Sequence, residues 1–135
     1  MIVLDCSAAF AIAQDTHEGR ALAALVCKGE RVIAPTLLQA EAANVAFRLV
    51  HQLGRPQAIV MEELRDALSL VDEFVNESDM VVEAASEAAR LGHSAYDLFY
   101  LVLARRRGAT LLTLDRKLMK LCAANGVACV EEVVV

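Results

Sequence analysis

The chain alternates short apolar runs with stretches of helical periodicity, and glycine or proline marks most of the joints. Residues 2–4, Ile-Val-Leu, end at Asp5 and predict a short buried strand. Two alanine-rich helices are predicted over 7–14 and 18–28, the second stopped by Gly29. Residues 31–34 predict a second strand. Pro35-Thr36 then opens a helix reaching residue 52, with Thr36-x-x-Gln39 in capping-box form and Gly54 and Pro56 as stops. An amphipathic helix is predicted over 58–76. Ile59, Leu64, Leu68, Val71 and Val75 lie on or near one face, and the opposite face is strongly acidic. Residues 80–82 are a short strand candidate. Helices follow over 83–91, closed by Gly92, and 95–107, begun at Ser94 and closed by Gly108. A strand over 110–114, a helix over 115–125 stopped by Gly126, and a last strand over 127–130, extended by 131–135, complete the pattern. Strands alternating with helices predict an α/β domain with a mostly parallel sheet.

At 135 residues the chain suits one domain, spanning 1–135, with no repeat, low-complexity stretch or linker. That length can bury a core without disulfides or structural metal, and a 57% hydrophobic composition excludes disorder. The longest apolar run, residues 98–104, falls far short of the ~20 residues that span a bilayer. No basic flank or cleavage site precedes the first apolar run, so no signal peptide is expected. A cytoplasmic protein without a membrane partner is the expectation. Cys6, Cys27, Cys122 and Cys129 form no C-x-x-C pair and are expected as reduced, buried apolar residues. His17, His51 and His93 are scattered, which argues against zinc.

A formal net charge of -5 weighs against a nucleic-acid partner at first sight. The charge is uneven, however: acids gather over 62–87, while Arg105, Arg106, Arg107, Arg116, Lys117 and Lys120 cluster near the C-terminal end. Arg105 to Arg107 end a helix, where cations complement the dipole, and Arg116 and Lys117 are read as solvated; the alternative is that some of the cluster meets a phosphate backbone. There is no aromatic interleaving of the kind that makes a single-strand stacking platform.

Asp5, Glu41, Asp97 and Asp115 stand where apolar segments start, stop or should be unbroken. Each has a local explanation to beat. Asp5 and Asp115 are candidate helix N-caps. Ser94-x-x-Asp97 resembles a capping box, with the acid favoured by the dipole. Glu41 is harder to dismiss, because Leu37, Leu38 and Val45 put it on or beside the apolar stripe of its helix. Asn44, one turn later, can hydrogen-bond that carboxylate or a phosphate. Ser7 follows Asp5 by two residues and can cap the same helix or hold a metal-bound water; Thr113 precedes Asp115 by two and can point to the same edge. Asp5 and Asp115 end predicted strands, and ligands of open parallel sheets bind beyond the carboxyl ends of strands. Several carboxylates in one small space raise one another's pKa and need a cation. Magnesium or manganese, hard ions served by carboxylate and water oxygens, fit that description.

With those residues in place, the chain resembles the PIN-domain family, and within it the VapC-type toxin ribonucleases. The matching segments are Ile-Val-Leu-Asp5-Cys-Ser7, Glu41-Ala-Ala-Asn44, Ser94-Ala-Tyr-Asp97-Leu-Phe-Tyr-Leu-Val-Leu-Ala104 and Leu-Leu-Thr113-Leu-Asp115-Arg-Lys-Leu118. They span essentially the whole chain, in the family's order. The resemblance implies a three-layer α/β/α sandwich with a mostly parallel four- to five-stranded sheet. It implies an acidic pocket for one or two Mg2+ or Mn2+ ions, with Asp5, Glu41, Asp97 and Asp115 as the catalytic acids. Asp5 and Asp97 are the leading ligands; Glu41 and Asp115 bind directly or through water. Ser7, Asn44 and Thr113 match supporting polar positions, and no chemistry attaches to Cys6. The implied activity is hydrolysis of RNA phosphodiesters by the toxin of a toxin-antitoxin pair. A small VapB-like antitoxin and homodimerisation follow from the same resemblance.

Three alternatives stand beside it. One is a PIN nuclease of RNA processing or one acting on DNA. Another is a non-catalytic PIN-like binding module, which the intact acidic set disfavours. The third is a phosphotransfer or phosphatase domain built on an aspartate. It lacks a second acid beside Asp5, and Ser7 stands where a haloacid-dehalogenase-like Asp-x-Asp would need its second aspartate.

Overall fold

The computed structural model describes residues 1–130. The elements run β1 (Ile2–Leu4), α1 (Cys6–Ala13), α2 (His17–Val26), β2 (Val32–Pro35), α3 (Leu37–His51), α4 (Gln57–Ser69) and β3 (Glu73–Val75). A 3-10 turn (Ser78–Met80), α5 (Val81–Leu91), α6 (Ala95–Arg107), β4 (Thr110–Leu112) and α7 (Arg116–Ala124) follow. The four strands form one all-parallel sheet in the order β3-β2-β1-β4. Its register sets Ile2 beside Val32 on one side and Thr110 on the other.

Alternation along the strands divides the core into two layers, as parallel sheets covered on both faces require. Ile2, Leu4, Val32 and Leu112 pack with Ala8, Phe10 and Leu22 of α1 and α2 and with Ala42 of α3. Val3, Ile33 and Leu111 point the other way, to Leu98, Leu101, Leu118 and Cys122 of α6 and α7. The apolar run of α6 is explained by this position: Tyr100 through Ala104 are all buried, so the helix is apolar nearly all round. Gly92 and Gly108 close α5 and α6 in the left-handed conformation, as their spacing predicts. The four-stranded α/β sandwich agrees with the expected architecture.

Five expectations need correction. The helix predicted over 58–76 ends at Ser69, and Glu73–Val75 becomes the edge strand β3. Asp72 explains the switch: its backbone N–H donates to the Val32 carbonyl, and its carboxylate accepts from the Val32 N–H, both at 2.8 Å. Pairing with β2 thereby replaces further helix. Residues 80–82 are not a strand. The Asn76 side chain accepts from the Ser78 N–H and hydroxyl, which begins the 3-10 turn, and α5 starts at Val81. Thr36 makes no cap bond; its hydroxyl donates to Glu77 at 2.5 Å. The strand predicted over 127–130 reduces to one bridge, Leu111 to Cys129, and its extension over 131–135 lies outside the described residues. Cys27 is exposed rather than buried. Among the described residues no helix is long and apolar enough to cross a membrane.

Candidate metal centre

The strand order runs outward from β1 to β2 and β3, then returns to place β4 on the other side of β1. Such a reversal opens a crevice beyond the carboxyl ends of the two central strands. Asp5 directly follows β1, and Asp115 lies three residues beyond β4. The N-terminus of α6 and the first half of α3 come to the same edge, because each helix runs back against the strand it connects. A cleft of about 380 Å³ opens there, and Asp5, Glu41, Asp97 and Asp115 all line it. Ser7 and Asn44 line it too, with Arg48 and Tyr100. Thr113 reaches it through Asp5.

Asp5 is both cap and cleft residue. Its Oδ1 accepts from the Ala8 N–H at 2.9 Å and from the Ser7 hydroxyl at 2.7 Å, and its Oδ2 accepts from the Thr113 hydroxyl. Each hydroxyl is itself supplied from the β4 side: Leu114 N–H donates to Ser7 and Asp115 N–H to Thr113, both at 3.0 Å. The end of β1 is thus tied to the end of β4 through one carboxylate. Burial outweighs these donors and pushes Asp5 up to about 6, with the nearby Asp97 charge adding to the shift.

Glu41 receives the phenol of Tyr100 at 2.5 Å. Burial raises its pKa, the Tyr100 bond opposes the rise, and Asp97 adds to it. Asn44, expected as a partner of this carboxylate, lines the cleft one turn on while Tyr100 supplies the bond. Asp97 is half-buried and also raised, first by burial and then by Asp115. His93 lies 3.6 Å from it and pulls the other way. The capping-box explanation of Asp97 fails, since Ser94 makes no side-chain cap bond. The cap expected of Asp115 is made: it accepts from the Lys117 and Leu118 N–H groups at 2.9 and 3.4 Å. Asp97 is the hub of mutual repulsion, since it raises Asp5 and Glu41 and is raised by Asp115.

Among the described residues no three His, Cys, Asp or Glu side chains gather into a ready-made metal cage. The donor set still fits a hard divalent cation. It is all carboxylate, none of its members pairs with Lys or Arg among the described residues, and three of the four carry raised pKa values that a cation would reverse. An open cleft with few protein ligands leaves room for water and a phosphate oxygen. Cys6 lines the same cleft but is a poor ligand there: burial, then Glu41 and Asp5, push its thiol up to about 12.

Two cleft residues escape sequence reasoning. Tyr100 sits within an apolar run and reads as core, although its place three residues after Asp97 puts both on one helix face. Arg48 reads as a helix C-terminal cation, although it lies seven residues after Glu41 on the same stripe. In the cluster near the C-terminal end, Arg105–Arg107 lie in the last turn of α6, and two of them make ion pairs that neither expected role included: Arg105 pairs with Glu83 and Glu87, and Arg106 with Glu83 and Asp79.

A family model described as the PIN domain matches residues 2–124, a span that holds all four acids. No curated protein matches the chain.

Proposed function

The chain belongs to the PIN-domain family, and from that premise we propose that it is a magnesium-dependent endoribonuclease, the toxin of a VapBC-type toxin-antitoxin pair. PIN domains are typically metal-dependent nucleases, which supplies the reaction class. The single observation that carries the reading is the convergence of four carboxylates from four separate elements on one cleft. Asp5 and Asp97 are the proposed direct ligands of Mg2+ or Mn2+, with Glu41 and Asp115 binding directly or through water. When bound, the ion offsets charge developing on the phosphate and makes water more acidic.

The chain's own groups do the rest. Ser7 and Thr113 hold the Asp5 carboxylate by donating to both of its oxygens. Tyr100 fixes Glu41, and the first turn of α7 fixes Asp115. A carboxylate free of direct metal contact can orient the attacking water or take its proton. Asn44, at the cleft wall, can donate to a phosphate oxygen. The toxin role, the VapB-like antitoxin, the homodimer and the cytoplasmic location rest on the segment-by-segment resemblance and belong to the same proposal.

Purified protein is expected to cleave RNA with magnesium and to stop in excess EDTA. Cleavage that persists in EDTA would sink the metal mechanism, and a parent protein inert on RNA with any divalent ion would favour a binding module. Cleavage of DNA in preference to RNA would favour the alternative PIN nuclease. Sequencing RNA ends after induced expression names the target. A short reading frame for a DNA-binding antitoxin beside the gene supports the toxin role, and its absence weakens that role alone.

A further inference from the structure

Arg48 is the only cation among the described residues that line the acidic cleft. It is exposed and, among the described residues, has no hydrogen bond or ion pair, even with the carboxylates of its own cleft. Arg55, Arg90, Arg105 and Arg106, by contrast, are all committed to glutamates. The position is built by the helix: Glu41, Asn44 and Arg48 follow one another at spacings that share a face of α3. At 1.5 Å per residue, Arg48 stands about 10 Å along the axis from Glu41. A strip of acid, amide and guanidinium therefore leads from the cleft floor towards the C-terminus of α3.

A fixed cation beside a divalent-metal site weakens metal binding unless an anion lies between them. A phosphodiester chain is such an anion, and the guanidinium fork matches its oxygens two at a time. We propose that Arg48 grips the RNA phosphate next to the one cut at the acids, so that the strand lies along α3 with Asn44 between the two grips. This rests on the nuclease reading and adds a strand direction to it. It also makes the preferred substrate one with a phosphate beyond the scissile bond.

The test compares Arg48→Ala, Arg48→Lys and the matched control Arg65→Ala. Arg65 is exposed on α4 and outside the cleft lining. RNA binding is measured by anisotropy in an Asp97→Asn background over a salt series with magnesium, and steady-state cleavage is measured in the parent background. Arg48→Ala is expected to weaken binding roughly tenfold and to flatten the slope of log K against log salt by about 0.7, the value for one single-strand phosphate contact. KM should rise by a similar factor with a smaller change in kcat, and Arg48→Lys should recover part of the affinity. An unchanged slope, or an equal loss in Arg65→Ala, overturns the assignment even if the parent cleaves RNA normally. A parent that binds RNA through Arg48 but never cleaves it would sink the nuclease reading and leave Arg48 in place.

Discussion

Asp5 and Asp97 share a cleft but not a structural burden. Asp5 closes the first turn of α1, joins β1 to β4 through two hydroxyls, and is buried. Asp97 makes no cap contact, and its near neighbour is His93 at 3.6 Å. Removing Asp5 therefore strips a helix cap and leaves Ser7 and Thr113 without their acceptor. At about pH 5, where the buried Asp5 carboxyl of the metal-free protein still holds its proton, Asp5→Ala is expected to cost about 1–2 kcal/mol of folding stability through the lost cap, and at neutral pH to abolish magnesium-dependent cleavage. Asp97→Asn is expected to lower cleavage by at least ~100-fold, beyond the loss typical of a residue that only supports a ligand, with stability equal to or above the parent's. The gain, where present, comes from relieving repulsion of Asp5, Glu41 and Asp115. Urea denaturation beside a cleavage assay separates the two variants. A stability loss in Asp97→Asn as large as that in Asp5→Ala would show that Asp97 is structural after all.

The elements are held at angles that bring the acids together, and one glycine controls the first of them. Gly19 opens α2 against the end of α1, where a Cβ would stand 1.9 Å from the Ala11 carbonyl oxygen. That oxygen is backbone, already accepting from the Thr16 N–H and hydroxyl, so it cannot swing away. Gly19→Ala is expected to force the two helices apart and to destabilise the fold by about 3 kcal/mol or more, at the upper end of overpacking costs. A denaturation midpoint within experimental error of the parent's would refute this packing. Gly29, with open space around it, is a milder site despite its positive φ of 82°. Signals of this kind decide what was legible beforehand. The segments with strict punctuation, Ile2–Leu4 and Ala95–Arg107 among them, are as predicted. The edge strand β3 was hidden because Val71 and Val75 satisfy a helical period as well as a strand; only Asp72 and its pairing with Val32 break the tie. Glu41 stood out because it breaks an apolar stripe. Tyr100 did not, because a phenol in an apolar run carries no charge to mark it. Arg48 was masked by its place near a helix end, where cations need no further reason.

Across the whole molecule, six acids are moved from their ordinary values, and they fall into two classes whose pH windows meet near pH 4. Glu63, Glu83 and Glu87 are held below the usual carboxylate range by arginines, Glu87 down to about 2. They contribute stability that is present above the unfolded value of 4.5 and is lost as pH falls. Three of the cleft acids do the opposite. Asp5 is raised from 3.8 to about 6, and Glu41 and Asp97 move in the same direction, in each case chiefly through burial. The metal-free fold therefore binds these protons more tightly than the unfolded chain does. Their contribution is complete below the unfolded value near 4 and is lost as pH rises through the folded value near 6. For Asp5 alone the loss is on the order of 3 kcal/mol, at 1.36 kcal/mol per unit. In EDTA the stability of the protein should thus peak near pH 4–5, where the two windows meet, and decline towards neutrality. A divalent cation binds the ionised cleft and reverses that decline. At a concentration 100-fold above its Kd it adds about 2.7 kcal/mol, and only where the acids have lost their protons. Thermal unfolding from pH 4 to pH 8, with EDTA and with magnesium, checks this. The two curves should coincide at the acid end and diverge through about pH 6, and Asp5→Asn should flatten the EDTA curve. A metal-free protein whose stability rises through that window would mean that the four carboxylates are not the mutually repelling, cation-seeking group on which the nuclease proposal depends.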